Sequence, residues 1–285
     1  MKNHLFCFGL GYTALEVIRE LNSLEPESWK YSGTKRNPAN VPDKPIIEII
    51  DFDDLIIIPK SVTHILLSIP PKEDGDIIYN RFLHQIKKLP NLKWIGYFST
   101  TGVYGDYQGK WVNEQSLTKT ENFRSILRLK AESQWQSLTE LAAVNIFRLS
   151  AIYGVNRSEF EKILSGRAQV IIKPNQFFSR IHVNDIAQIV VKAINFLAKN
   201  EVYNLSDDYP CAQNEVTEHA YKLLNLTPPK PIAFKEAELS EMAQSFYLES
   251  KRVSNNKVKQ GLGVNLRYPS YKEGLQAIFK EIHES

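Results

Sequence analysis

Apolar positions along the chain follow two alternating rhythms. Short apolar runs at residues 4–8, 29–34, 46–50, 62–69, 92–98 and 144–149 have the length and composition of buried strands. Between them lie longer stretches with apolar residues at helical spacing. In 12–24, Leu15, Ile18 and Leu21 share a face, and in 77–89 Phe82, Ile86 and Leu89 do the same. A third helix is expected over about 123–141. Strands joined by crossover helices run parallel with right-handed connections, so the pattern predicts an α/β doubly wound parallel sheet. Ligands of such sheets sit outside the carboxyl ends of the strands. Beyond about residue 155 the rhythm loosens. Prolines gather at Pro228, Pro229 and Pro231, and helical segments dominate after Gln213. The expected division is a nucleotide-binding domain over 1–155, to which 178–207 return, and a smaller, mostly helical C-terminal substrate lobe over 156–285.

The first strand runs into Gly9-Leu10-Gly11-Tyr12-Thr13-Ala14, which fits G-x-G-x-x-G/A and opens a helix. Gly9 supplies the tight turn, Gly11 lets backbone approach a pyrophosphate, and Ala14 keeps the helix close to the sheet. Free N–H groups at the helix start, with Leu10 and Tyr12 in the loop, would then face the phosphates. This is a Rossmann-type unit, and it predicts a nicotinamide dinucleotide. The second strand ends in Thr34, Lys35 and Arg36, with no carboxylate to hold a ribose 2′-hydroxyl. These three are candidates for the 2′-phosphate, which makes NADP the expected cofactor and NAD the lesser one. Asp51 and Phe52, after the third strand, are expected at the adenine edge. Ser68, Ile69 and Pro70, after the fourth, are expected on the nicotinamide side.

Composition narrows the picture further. The chain of 285 residues is 43% hydrophobic and 24% charged with a net charge of +3, and no run of like charges suggests a nucleic-acid partner or a polybasic membrane patch. The basic group Lys251, Arg252, Lys257 and Lys259 is expected on a solvated helix face. Cys7 and Cys211 are too few for a disulfide framework, and a cytoplasmic protein is expected. No stretch reaches the length of a membrane span. Histidine, cysteine and carboxylate spacing offers no metal site, and hydrolase motifs are absent. Arg148, Arg157, Arg180 and Arg252 fall near expected site loops and hint at an anionic small-molecule substrate.

Four further motifs occur in order: Ser99-Thr100-Thr101-Gly102-Val103-Tyr104-Gly105 after the fifth strand, Arg148 with Tyr153-Gly154, Ile181-His182-Val183-Asn184-Asp185-Ile186-Ala187, and Tyr203-Asn204-Leu205. Together with the glycine loop they resemble the extended short-chain dehydrogenase/reductase superfamily, in its NAD-dependent epimerase/dehydratase branch, over nearly the whole chain. The resemblance implies a catalytic Ser/Thr with a Tyr-x-x-x-Lys pair, in which the lysine lowers the tyrosine pKa. Thr100 takes the first position. Aligning Glu132 with the superfamily's downstream glutamate places Arg124 where the tyrosine belongs and Arg128 where the lysine belongs. Arginine stays protonated, so Arg124 is a poor general acid or base but can stabilise an oxyanion. Arg128 can keep the ribose contact. Tyr104, Tyr107 and Tyr153 either replace the missing acid or simply pack. Asp185 is expected to stabilise a helix, His182 to cap one or sit in the core, and Asn113-Glu114 to touch substrate or close a loop. Members of this superfamily often pair, which makes a homodimer an expectation. Two functions follow: an NADP-dependent oxidoreductase or epimerase/dehydratase on a small substrate, or a non-catalytic dinucleotide-binding sensor or partner-binding protein.

Overall fold

A computed structural model describes residues 2–37, 46–197 and 200–284. In chain order the elements are β1 (Asn3–Phe8), α1 (Tyr12–Leu24), β2 (Trp29–Lys35), β3 (Ile47–Asp51), β4 (His64–Leu67), α2 (Ile77–Ile86), β5 (Trp94–Thr100), a 3₁₀ turn (Thr101–Tyr104), β6 (Trp111–Val112), α3 (Phe123–Gln136), β7 (Ala143–Leu149), β8 (Ala151–Tyr153), α4 (Glu159–Leu164), β9 (Ile171–Ile172) and β10 (Arg180–His182). There follow α5 (Val183–Phe196), β11 (Glu201–Leu205), α6 (Gln213–Leu223), β12 (Ile232–Ala233), a 3₁₀ turn (Phe234–Glu236), α7 (Glu241–Tyr247), β13 (Arg252–Val253), α8 (Asn256–Leu262) and α9 (Tyr271–Glu284).

Seven strands form one sheet in the order β11-β7-β5-β4-β1-β2-β3, every neighbouring pair parallel. Strand order reverses between β1 and β4, which opens a crevice at their carboxyl ends. Alternation along β1 sorts its side chains to two layers. Leu5 and Cys7 join a core with α1, α5 and α8, whereas Phe6 and Phe8 join a second core with α2 and α3. On α1, Leu15, Val17, Ile18 and Leu21 are all buried, each contributing roughly 1.5–3 kcal/mol of gross apolar transfer.

Caps set several boundaries. Asp76 starts α2 by accepting from the Ile78 and Tyr79 N–H groups at 2.9 and 3.0 Å, and its other oxygen accepts from Trp135 Nε1 at 2.9 Å. Ser158 and Glu161 form a reciprocal capping box on α4. The third helix ends at Gln136 rather than near 141. Tight turns from Leu138 N–H to Trp135 and from Leu141 N–H to Leu138 bring the chain back into β7.

Beyond the sheet, β8 and β10 pair in parallel and lead into α5, while α4, α6 and α9 enclose a separate apolar cluster around Tyr153, Phe160, Val216 and Leu275. The basic group near residue 255 does not form one solvated face. Lys251 pairs with Glu249, Arg252 lies 3.7 Å above the Phe177 ring, and Lys257 and Lys259 pair with Glu201 and Asp208, because the chain there docks β13 against β6. No helix among the described residues is long and apolar enough to cross a membrane.

Candidate cofactor and substrate site

The glycine loop folds as a tight turn between β1 and α1. Gly9 has φ +94°, a conformation side chains avoid, and a Cβ there would stand 2.8 Å from Ile69 Cγ1. Its N–H donates to Thr34 Oγ1 at 3.1 Å, and the Leu10 N–H donates to the Thr34 carbonyl at 2.8 Å. Gly11 caps α1 without a side-chain bond, and a Cβ built there would meet nothing within 4 Å. Open space above an uncapped helix start, with no acid in the first turn, fits a dinucleotide pyrophosphate.

Other predicted cofactor residues divide by position. Thr34 is fully buried and its hydroxyl is committed to the loop, so its place is beneath the turn. Lys35 is half-buried and Arg36 exposed at the end of β2, with Asp51 in register opposite Lys35. The Asp51 carboxylate accepts from the Asp53 N–H at 2.9 Å. Phe52 is buried in the second core under Arg81, whose guanidinium lies 5.5 Å from its ring. Ser68 is half-buried and lines the cleft described below, Ile69 packs against the glycine turn, and Pro70 is exposed.

A cleft of about 890 Å³ begins at Tyr12 and Thr13, passes Ser68 and the end of β5 at Thr100, and continues to α4 and α7. Thr100 is half-buried, with its Oγ1 accepting from the Gly102 N–H at 3.1 Å. Arg128 reaches the same wall from α3 and donates to the Phe98 carbonyl. Arg124 does not join them. It stands exposed in the first turn of α3, outside the cleft lining, while its neighbour Ser125 is the buried residue that meets the Gly102 turn. The pair spaced one helical turn apart is therefore split, with Arg128 alone in the cleft.

Tyr104 is also elsewhere. Its hydroxyl donates to Asn204 Oδ1 at 2.7 Å and accepts from Arg148 Nη1 at 3.0 Å. Arg148 forms a fork on Glu132, at 3.1 Å from Nε to Oε1 and 2.7 Å from Nη2 to Oε2. Ser99 Oγ closes the chain on Glu132 Oε1 at 2.5 Å. Burial raises the Tyr104 phenol pKa, which keeps it a neutral member of an internal network that pins β5, β7, β11 and α3 together.

The remaining motif residues have structural partners. His182 caps α5, its Nδ1 accepting from the Asn184 N–H at 3.2 Å, and burial lowers its pKa to about 4. Asp185 accepts from the backbone N–H groups of Arg267 and Tyr268 at 2.6 and 3.1 Å, so it tethers the segment before α9. Glu114 accepts from the Asn204 N–H at 2.8 Å, closing its loop. No cluster of three or more histidine, cysteine or acidic residues that could hold a metal ion occurs among the described residues.

The far side of the cleft carries Arg157, Lys162, Arg167, Arg180 and Lys251, which with Arg128 make six cations against Glu159, Glu238 and Glu249. Aromatic side chains Phe177, Phe178, Phe246 and Tyr247 complete the wall. Sequence alone singled out Arg157 and Arg180. The contribution of α4 and α7 was not legible, because their short helices carry no motif. Arg148 and Arg252, named with them, are spent on Glu132 and on the Phe177 ring.

The parallel strand order and the cleft at the strand ends are those of solved epimerase and dehydratase structures, so this chain shares their fold. Human epimerase family protein SDR39U1 (isoform 2), solved with NADPH, superposes with a TM-score of 0.73 at 17% identity over 98% of this chain and 99% of that one. The dTDP-glucose 4,6-dehydratase of Bacillus anthracis, solved with NAD, gives 0.74 at 16% identity over 100% and 97%. Within the fold, the chain belongs to the same family as a conserved protein from Silicibacter pomeroyi DSS, to which it is 38% identical over 99% of both chains with a TM-score of 0.90; that protein is described as functionally unknown. No protein-family model matches the sequence, and no curated protein matches it.

Proposed function

We propose that this protein binds NADP(H) and acts as an oxidoreductase or epimerase/dehydratase on a small anionic substrate, with the lobe over residues 156–285 supplying the substrate side. One observation carries the reading: a single cleft joins the start of α1 to Thr100 and Arg128 and then to a cationic lobe wall. A bound nicotinamide supplies hydride-transfer chemistry. The N–H groups at the start of α1, from Tyr12 on, would hold the pyrophosphate, Gly9, Leu10 and Gly11, whose N–H groups are spent within the turn, would shape the space for it, and Lys35 and Arg36 would hold the 2′-phosphate. Ser68 would flank the nicotinamide. Thr100, kept in place by Gly102, would orient a substrate carbonyl or hydroxyl. Arg128 would hold a ribose hydroxyl or a developing oxyanion, since a guanidinium donates hydrogen bonds without giving up its proton.

The exposed position of Arg124 favours a second reading, a dinucleotide-binding protein without turnover, because no tyrosine takes the usual acid position. A screen of NADPH oxidation over carbonyl and nucleotide-sugar substrates separates the two. Turnover that falls at least about 100-fold in Thr100→Ala supports the enzyme. Tight NADPH binding with no turnover across the panel supports the sensor.

A further inference from the structure

Arg180 is the one cation of the cleft that is both deeply buried and hydrogen-bonded only by neutral groups. It is 6% exposed and lines the cleft from the start of β10. Its Nη1 donates to the Phe178 carbonyl at 3.0 Å, the Cys211 carbonyl at 3.4 Å and Cys211 Sγ at 3.2 Å. Its Nη2 donates to Gln213 Oε1 at 2.8 Å. Among the described residues, none of the ion pairs within 4.0 Å includes it. Gln213 is itself held by its Nε2 on Glu159 Oε1 at 2.8 Å, which turns the amide oxygen toward Arg180. Glu159 is spent on Lys162 at 2.6 Å and on Thr217 Oγ1 at 3.3 Å. Asp207 lies beyond ion-pair distance of Arg180; its carboxyl feels the Arg180 charge, but burial outweighs that attraction and raises its pKa.

A buried guanidinium hydrogen-bonded only by neutral groups is stabilised by an arriving counter-charge. Aromatic side chains flank it on the cleft side. Phe178 lies under the guanidinium at 5.9 Å, Tyr247 meets Phe178 edge-on at 5.1 Å, and Phe246, 62% exposed, lines the same cleft from α7. The other lobe cations are engaged or peripheral: Lys162 with Glu159, Lys251 with Glu249, exposed Arg167 with Ser165, and exposed Arg157 beside the Tyr12 ring. That leaves one deep positive charge, suited to a monoanion rather than to a diphosphate.

Resting on the substrate-binding role proposed for this cleft, we infer that Arg180 anchors an organic carboxylate whose apolar body lies against Phe178 and Phe246. The guanidinium fork matches a planar carboxylate, and the aromatic wall accepts the rest of the molecule.

The test is calorimetric titration of the full chain, with and without saturating NADPH, using 3-phenylpropionate, phenylpyruvate and hexanoate, with the methyl ester of 3-phenylpropionate, UDP and inorganic phosphate as comparisons. The expected result is saturable binding of at least one carboxylate, weakened about tenfold or more in the ester. Arg180→Gln should remove that binding while the NADPH isotherm stays unchanged, and Phe246→Ala should weaken the aryl acids more than hexanoate. If Arg180→Gln folds poorly, the acid–ester comparison on the unaltered chain and Phe246→Ala decide. Failure of every carboxylate to bind, or UDP binding more tightly than all of them, would overturn the assignment. Absence of NADPH binding would instead defeat the cofactor reading, and the titration without NADPH would still report on Arg180.

Discussion

Glu132 and Arg148 form a charge pair in the interior, and through Ser99 it fixes the strand end that carries Thr100. Removing one partner leaves the other charge buried and alone, so Arg148→Met is expected to cost about 3–5 kcal/mol of folding stability in urea denaturation. Replacing both partners by apolar residues of similar volume should cost far less, and an equal loss in the double variant would contradict the account. Asp207 supplies a test by pH. Its folded pKa of about 8 lies above the ordinary carboxylate value, so its neutral form is the one the fold favours. That contribution is complete below pH of about 4 and is lost as pH rises through about 8. Asp207→Asn, which keeps the acceptor for the Tyr209 N–H, should therefore melt at least about 2 °C higher than the parent at pH 8.5 and level with it near pH 4. A difference independent of pH would show that Asp207 ionises freely. Buried His4, His64 and His182 act in the opposite sense. Burial lowers their pKa values to about 4, 3 and 4, so each removes stability as pH falls below about 6.5.

Among the elements, the loop between β1 and α1 tolerates little change. Gly9→Ala must strain a positive φ and push Ile69, so NADPH affinity should fall at least about tenfold with a stability loss of roughly 1–3 kcal/mol. Unchanged affinity would mean that the pyrophosphate does not sit on this turn. Such elements were legible in the sequence, because buried strands and the amphipathic face of α1 write a period into the chain, and the glycine loop has a fixed spacing. Boundaries that depend on tertiary turns, as at the end of α3, were not. In the site, Thr100 and Arg128 follow from motif spacing. The place of Arg124 does not, since the capped start of α3 turns Ser125 toward Gly102 and leaves Arg124 outside. The commitment of Tyr104 is equally hidden, because Arg148 and Asn204 lie 44 and 100 residues away along the chain. The cleft wall of Phe178, Phe246 and Tyr247 exists only once α7 folds back over β10.

For the whole molecule, one cleft runs from the start of α1 to a cationic wall around α4 and α7, and the proposal assigns the cofactor to the first end and the substrate to the second. On that proposal cofactor choice rests on Lys35 and Arg36, a basic pair at the end of β2 where no acid stands. Lys35→Ala with Arg36→Ala should weaken NADPH by about 10- to 100-fold and leave NADH nearly unchanged, as charge-assisted bonds to a phosphate are worth roughly 1.5–3 kcal/mol. The most direct measurement is a pair of calorimetric titrations of the unaltered chain with NADPH and with NADH at the same ionic strength. The account predicts a clear NADPH isotherm with one site per chain and NADH binding at least about tenfold weaker. NADH binding as tightly as NADPH, or neither binding at all, would contradict it.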